Sequence, residues 1–129
     1  MPTTVRKSGK TLYERLGGYD AIAAILDEFL RRLRSDPAFA RFAGGRSLDS
    51  TRRGRELLID QICALSGGPC VYTGRDMKTA HGGLGINAHE WKLTLQHTTD
   101  ALNQFKVPSR EKRDFIALFE RYKGEIVEG

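Results

Sequence analysis

Four glycine pairs, at positions 17–18, 44–45, 67–68 and 82–83, cut this chain into helical pieces too short to stand alone. Isolated helices of such length are marginal in water, so each must find partners through an apolar face. Thr11 and Glu14 form a Thr-x-x-Glu capping box over a short helix that the first pair stops. Asp20 is expected to cap a longer helix. Its Ile22, Leu26, Phe29, Leu30 and Leu33 recur at helical spacing, while Arg31, Arg32 and Arg34 fall largely off that stripe. Ser35-Asp36-Pro37 breaks the pattern, and Pro37 suits the first position of a brief helical piece carrying Phe39 and Phe42.

The second pair opens a polar loop through Asp49-Ser50. Either residue suits the cap of a helix running to about Ser66, with Leu57, Leu58, Ile62 and Leu65 inward. An irregular stretch from Gly67 to Arg75 follows. Asn87 and Glu90 repeat the capping-box logic for a helix bearing Trp91, Leu95, Leu102 and Phe105. Val107-Pro108 ends it, and Ser109 is expected to cap a last helix with Phe115, Ile116, Phe119, Tyr122 and Ile126. No strand pair or internal repeat is apparent, so the expected class is all-α.

A chain of 129 residues fits one domain with a real core. Residues 1–10 read as a flexible basic segment and 11–129 as the domain. No apolar run is long enough to span a bilayer, and the basic N-terminus lacks the apolar centre of a signal peptide. A cytoplasmic protein without a membrane partner is expected. The net charge of +5 raises nucleic acid as a partner. However, the basic clusters Arg31-Arg32, Arg52-Arg53 and Arg110–Arg113 carry no interleaved aromatic residues, so a solvated surface is the expectation. Cys63 and Cys70 make neither a disulfide framework nor a zinc set, and read as reduced thiols.

The stretch from Pro69 to Gly85 carries the chemistry. Asp76 can cap a very short helix that puts Met77 and His81, four residues apart, on one face. A neutral imidazole beside apolar groups is what an iron porphyrin needs from a protein. Spacing alone does not decide it, because most histidines are surface or satisfied core residues and most aromatic stripes are core.

Wider motifs add to this. Thr-Leu-Tyr-Glu-Arg-Leu-Gly-Gly (11–18), Gly-Gly-Pro (67–69), Tyr-Thr-Gly (72–74) and Met-Lys-Thr-Ala-His (77–81) resemble, in order and separation, the truncated haemoglobins of group I. Leu84-Gly85-Ile86 and Val107-Pro108 extend the match. The resemblance implies an abbreviated globin, a two-over-two helical sandwich holding haem b (iron protoporphyrin IX). It makes His81 the metal ligand, with its other ring nitrogen donating to a backbone carbonyl or water. It also implies that Phe42, Tyr72, Met77, Ile86, Trp91, Phe115 and Phe119 line the porphyrin, with Arg75 or Lys78 available to the propionates.

On the opposite side the chain departs from its group. Many members carry a tyrosine after the phenylalanine of the second helix, whereas here Leu30 follows Phe29. A phenol would hydrogen-bond a gas held on the iron, and leucine cannot. Arg52, Arg53 and Glu56 are the polar candidates on the next helix, Arg53 preferred, with Leu57 or Leu58 as apolar walls. His89 and His97 lie on the later long helix, so an open sixth position is expected. The implied function is binding and transport of oxygen, with nitric oxide and carbon monoxide as further diatomic ligands. The alternative is a haem enzyme, a nitric-oxide dioxygenase or peroxidase-like, needing a separate reductase because no Gly-x-Gly-x-x-Gly follows a strand. A monomer or weak dimer is expected.

Overall fold

The computed structural model describes residues 10–42 and 48–128. Helix α1 (Leu12–Leu16) starts from the expected box: the Thr11 hydroxyl accepts from the Glu14 N–H at 3.1 Å, and the Glu14 carboxylate accepts from the Thr11 N–H at 3.0 Å. It ends in a left-handed turn at Gly17 (φ 109°), where Gly17 N–H donates to the Glu14 carbonyl and Gly18 N–H to the Tyr13 carbonyl. This paired closure satisfies carbonyls that a helix end otherwise orphans. The turn leaves Gly18 at the cap of α2 (Tyr19–Ser35). Asp20 therefore lies inside the first turn rather than capping it, where its charge still suits the helix dipole.

A 3-10 helix over Pro37–Phe42 follows, then α3 (Leu48–Leu65). Because α3 already begins at Leu48, Asp49 and Ser50 fall within its first turn and neither is its cap. The expected loop residues 43–47, like the basic residues 1–9, lie outside the described residues. After α3 come α4 (Met77–His81), α5 (Ala88–Gln104), α6 (Ser109–Glu120) and α7 (Lys123–Ile126). At α6 the cap is Pro108, in extended backbone (ψ 154°), and Ser109 is the first helical residue. The single last helix of the sequence reading is two, since the chain tightens to a Tyr122 N–H to Phe119 carbonyl bond before α7.

Helix α2 packs on α3 and on α5, α5 packs on α6, and α1 closes against α2 and α6. The core runs through these contacts: Ile22, Ile25, Leu26 and Phe29 of α2, Ile59 and Ile62 of α3, Ala101 and Leu102 of α5, and Phe115 and Leu118 of α6. On α3 the buried stripe is Ile59, Ile62 and Cys63, whereas Leu57, Leu58 and Leu65 are only half-buried. Leu58 and Leu65 lie about 100° to one side of the stripe's centre, which lifts them to the rim, and Leu57 lies nearly opposite it. Phe105 leaves the core altogether: it stands past the end of α5 and is 44% exposed.

The end of α3 repeats the device at the end of α1. Gly67 (φ 97°) donates to the Ala64 carbonyl, and Gly68 to the Cys63 carbonyl at 2.8 Å. The two turns meet, because Tyr13 N–H donates to the Ser66 carbonyl at 2.9 Å, and a Cβ on Gly68 would overlap the Tyr13 ring and Cys63 Sγ. The same reversal corrects the reading of the cysteines. Cys63 and Cys70 are joined as a disulfide, with Cα atoms 5.7 Å apart. A count of two cysteines misses this. The left-handed turn at Gly67 folds the chain back, so that the position seven residues on comes beside the last turn of α3.

Candidate functional site

Helix α4 is five residues long and has no stable existence outside its surroundings. Asp76 caps it, its side chain accepting from the Thr79 N–H at 3.3 Å. Met77 faces inward and is buried, and His81, one turn on, is half-buried. The His81 ring is tied to its own helix: Nδ1 lies 3.0 Å from the Met77 carbonyl oxygen. A carbonyl only accepts, so in the neutral ring Nδ1 carries the proton and Nε2 carries the lone pair.

The turn after His81 is fastened from two sides. Arg41, from the 3-10 helix, donates to the carbonyls of Leu84 at 2.9 Å and Gly85 at 3.2 Å, and pairs with both Glu90 oxygens at 2.7 and 2.9 Å. Glu90 in turn accepts from the Asn87 N–H, completing the capping box of α5. The Arg41 guanidinium and this backbone donor hold the Glu90 carboxyl below the usual range. From the other side, the Glu128 carboxylate accepts from the N–H groups of Gly83 and Gly85.

The remaining predicted residues divide into three groups. Leu30 and Phe119, both half-buried, pack against the main core, in which Phe115 is fully buried. There Phe115 stacks on Phe119, and Phe119 meets Phe29 edge-on. Met77 and Trp91 are buried outside that cluster. Phe42 is half-buried with the Arg41 guanidinium 4.1 Å from its ring centre, and Ile86 is half-buried with its carbonyl bonded to Glu128. Tyr72 is half-buried and donates to the Arg75 carbonyl; burial pushes its phenol up. Arg53, Lys78 and Arg75 are exposed, while Leu57 is half-buried on α3. His89 is exposed, and His97 is spoken for by Asp36 at 2.7 Å.

Residues 11–128 match the bacterial-like globin family. The chain is also 30% identical, over 119 residues, to the group 1 truncated haemoglobin GlbN of Mycolicibacterium paratuberculosis, a match covering 92% of this chain and 85% of that one. This chain belongs to the group 1 truncated haemoglobins. A further relative of the same name from Nostoc is 26% identical over 91% of this chain and 97% of its own. Among solved structures the fold superposes on the truncated haemoglobin of Tetrahymena pyriformis in its Fe(III) form, with TM-score 0.83 and 22% identity over 93% of this chain and all of that one. It also superposes on the 2/2 haemoglobin of Synechococcus with covalently attached haem, with TM-score 0.82 and 18% identity over 92% of this chain and 98% of that one. The pairs α2–α3 and α5–α6 are thus the two layers of the two-over-two globin sandwich.

A globin's prosthetic group is a haem, and the residues present in this truncated haemoglobin fit one. The half-buried His81 has its Nδ1 held by its own backbone, which leaves Nε2 as the atom to meet a metal, with buried Met77 one turn before it. The sequence reading missed Arg41, Glu128 and the burial of Glu90. The Asn87-x-x-Glu90 box pointed to Glu90 as a cap, but no local pattern links it to an arginine 49 residues earlier.

Proposed function

We propose that this truncated haemoglobin holds haem b through His81 and binds diatomic gases (oxygen, nitric oxide and carbon monoxide) on the opposite face. The observation that carries the reading is the His81 Nδ1–H to Met77 carbonyl bond, which reserves Nε2 for a metal. When bound, haem would supply an iron able to take a diatomic gas. The chain supplies the rest. His81 gives the donor nitrogen; Met77, Trp91, Phe42, Ile86, Tyr72, Phe115 and Phe119 give the apolar surroundings, and Lys78 and Arg75 give exposed cations for the propionates.

On the gas side, Leu30 offers no hydrogen bond, and Leu57 adds a further apolar surface. Of the polar candidates Arg52, Arg53 and Glu56 on α3, Arg53 is the one preferred to swing toward the gas. Burial of the porphyrin faces contributes about 25 cal/mol per Å² of apolar surface removed from water, so the holoprotein is the more stable form.

The test is reconstitution with haem, read as a Soret band and a carbon-monoxide difference spectrum. His81→Ala is expected to abolish most of the affinity; an unchanged difference spectrum overturns the ligand assignment. Leu30→Tyr is expected to slow oxygen release about fivefold, the worth of one hydrogen bond of about 1 kcal/mol. Equal release rates from the two proteins would remove Leu30 from the gas side.

A further inference from the structure

The ring of His81 is fixed to α4, so its direction is only as well defined as that short helix. One end of α4 is held by the Asp76 cap. The other runs into a turn in which Leu84 N–H donates to the His81 carbonyl at 3.2 Å, and Gly83 and Gly85 are both left-handed, at φ 84° and 68°. Left-handed residues on either side of Leu84 aim the N–H groups of 83 and 85 to one side, forming a concavity that suits an anion. The anion is internal. Glu128 Oε2 accepts from Gly83 at 3.2 Å and Oε1 accepts from Gly85 at 2.8 Å, while Glu128's own N–H donates to the Ile86 carbonyl at 2.7 Å. Those backbone donors hold the Glu128 carboxyl below its usual range, and α7, just before it, packs on α4.

We propose that Glu128 is a positioning residue for His81, acting through the Gly83–Gly85 turn to set the angle at which the imidazole meets the haem. The inference rests on the reading of His81 as the iron ligand. The carboxylate fixes the turn's donors while Arg41 fixes its acceptors, at the carbonyls of Leu84 and Gly85, so the peptide around Gly85 is gripped at both ends. Charge-assisted bonds of this kind are the stronger class. Without Glu128 the turn keeps only the carbonyl half of its fastening, and α4 gains freedom to tilt.

The experiment compares Glu128→Ala and Glu128→Gln with the unaltered protein, each as the full chain reconstituted with haem. Three readouts are needed: amide exchange at Gly83 and Gly85 in the haem-free protein, the iron–histidine stretching band of the ferrous form, and transfer of haem to an excess of apomyoglobin. Glu128→Ala is expected to speed exchange at both glycines, shift or broaden the stretching band and accelerate haem loss about tenfold. Glu128→Gln keeps one carbonyl-type acceptor and should fall between. A band and haem-loss rate unchanged in Glu128→Ala, with the unaltered protein binding haem normally, overturn this inference and leave the haem reading intact. Failure of the unaltered protein to bind haem overturns both.

Discussion

The packed centre of the sandwich and the segment around His81 are held together by different means. In the centre, α2, α3, α5 and α6 share one apolar cluster in which Ile22, Leu26, Ile59, Leu102 and Phe115 are fully buried. Many similar contacts share the load there, none of them requiring a particular partner atom. Residues 66–87 have almost no such core. They are held by a disulfide, a one-residue cap on α4, a carboxylate on two glycine amides and an arginine on two carbonyls. Such a segment is defined by single contacts, and each can be lost by itself. The centre therefore governs whether the chain folds, while the segment around His81 can open locally without it.

The largest effect is expected in the centre. Phe115→Ala removes a fully buried ring that stacks on Phe119, and should cost about 3–5 kcal/mol in urea unfolding of the haem-free protein. A cost under 1 kcal/mol would show that the cluster does not carry the fold. The disulfide comes next. Cys63 and Cys70 close a loop of eight residues, for which chain entropy predicts about 2–3 kcal/mol. Reduction, or Cys63→Ser with Cys70→Ser, should lower the free energy of unfolding by that amount, less than the loss of Phe115. If reduction costs more than Phe115→Ala, the ranking of the two regions is reversed.

The same division explains what could be read from the sequence. Helices with a periodic apolar stripe were readable because packing rewards spacing, and the two capping boxes and the glycine-pair stops followed from local hydrogen-bond needs. The fine phase of α3 was harder. Its adjacent Leu57, Leu58 and Ile59 are all apolar, and only the packed structure reveals that Ile59 is the innermost. Around His81, the Asp76 cap and the Met77–His81 pairing were readable because they lie within one turn. The Arg41 and Glu128 fastenings span more than 40 residues and depend on backbone groups, so no residue pattern announces them. The Cys63–Cys70 bond was hidden for a related reason, since it depends on a backbone reversal rather than on cysteine count.

Acid should separate the two regions most gently. Glu90 is depressed chiefly by Arg41, and Asp36 chiefly by His97 and then by the Ala38 N–H. Both carboxyls fasten the 3-10 helix, and with it the turn after His81, to α5. Each therefore has a folded-state pKa below its unfolded value. The stabilisation is complete above the ordinary carboxylate range and is lost as pH falls through the folded values, because the unfolded chain takes up protons first. Between about pH 5 and pH 3 the protection of amides at 36–42 and 82–87 should fall before that of α2 and α5, as measured by hydrogen exchange corrected for intrinsic rates. Glu28, at the rim of α2, is also depressed, by Arg31 foremost, but it links neighbours on one helix and its protonation frees no segment. Protection lost at one pH across all these amides would mean that the His81 segment and the centre unfold as a single unit, and the distinction between them would not survive.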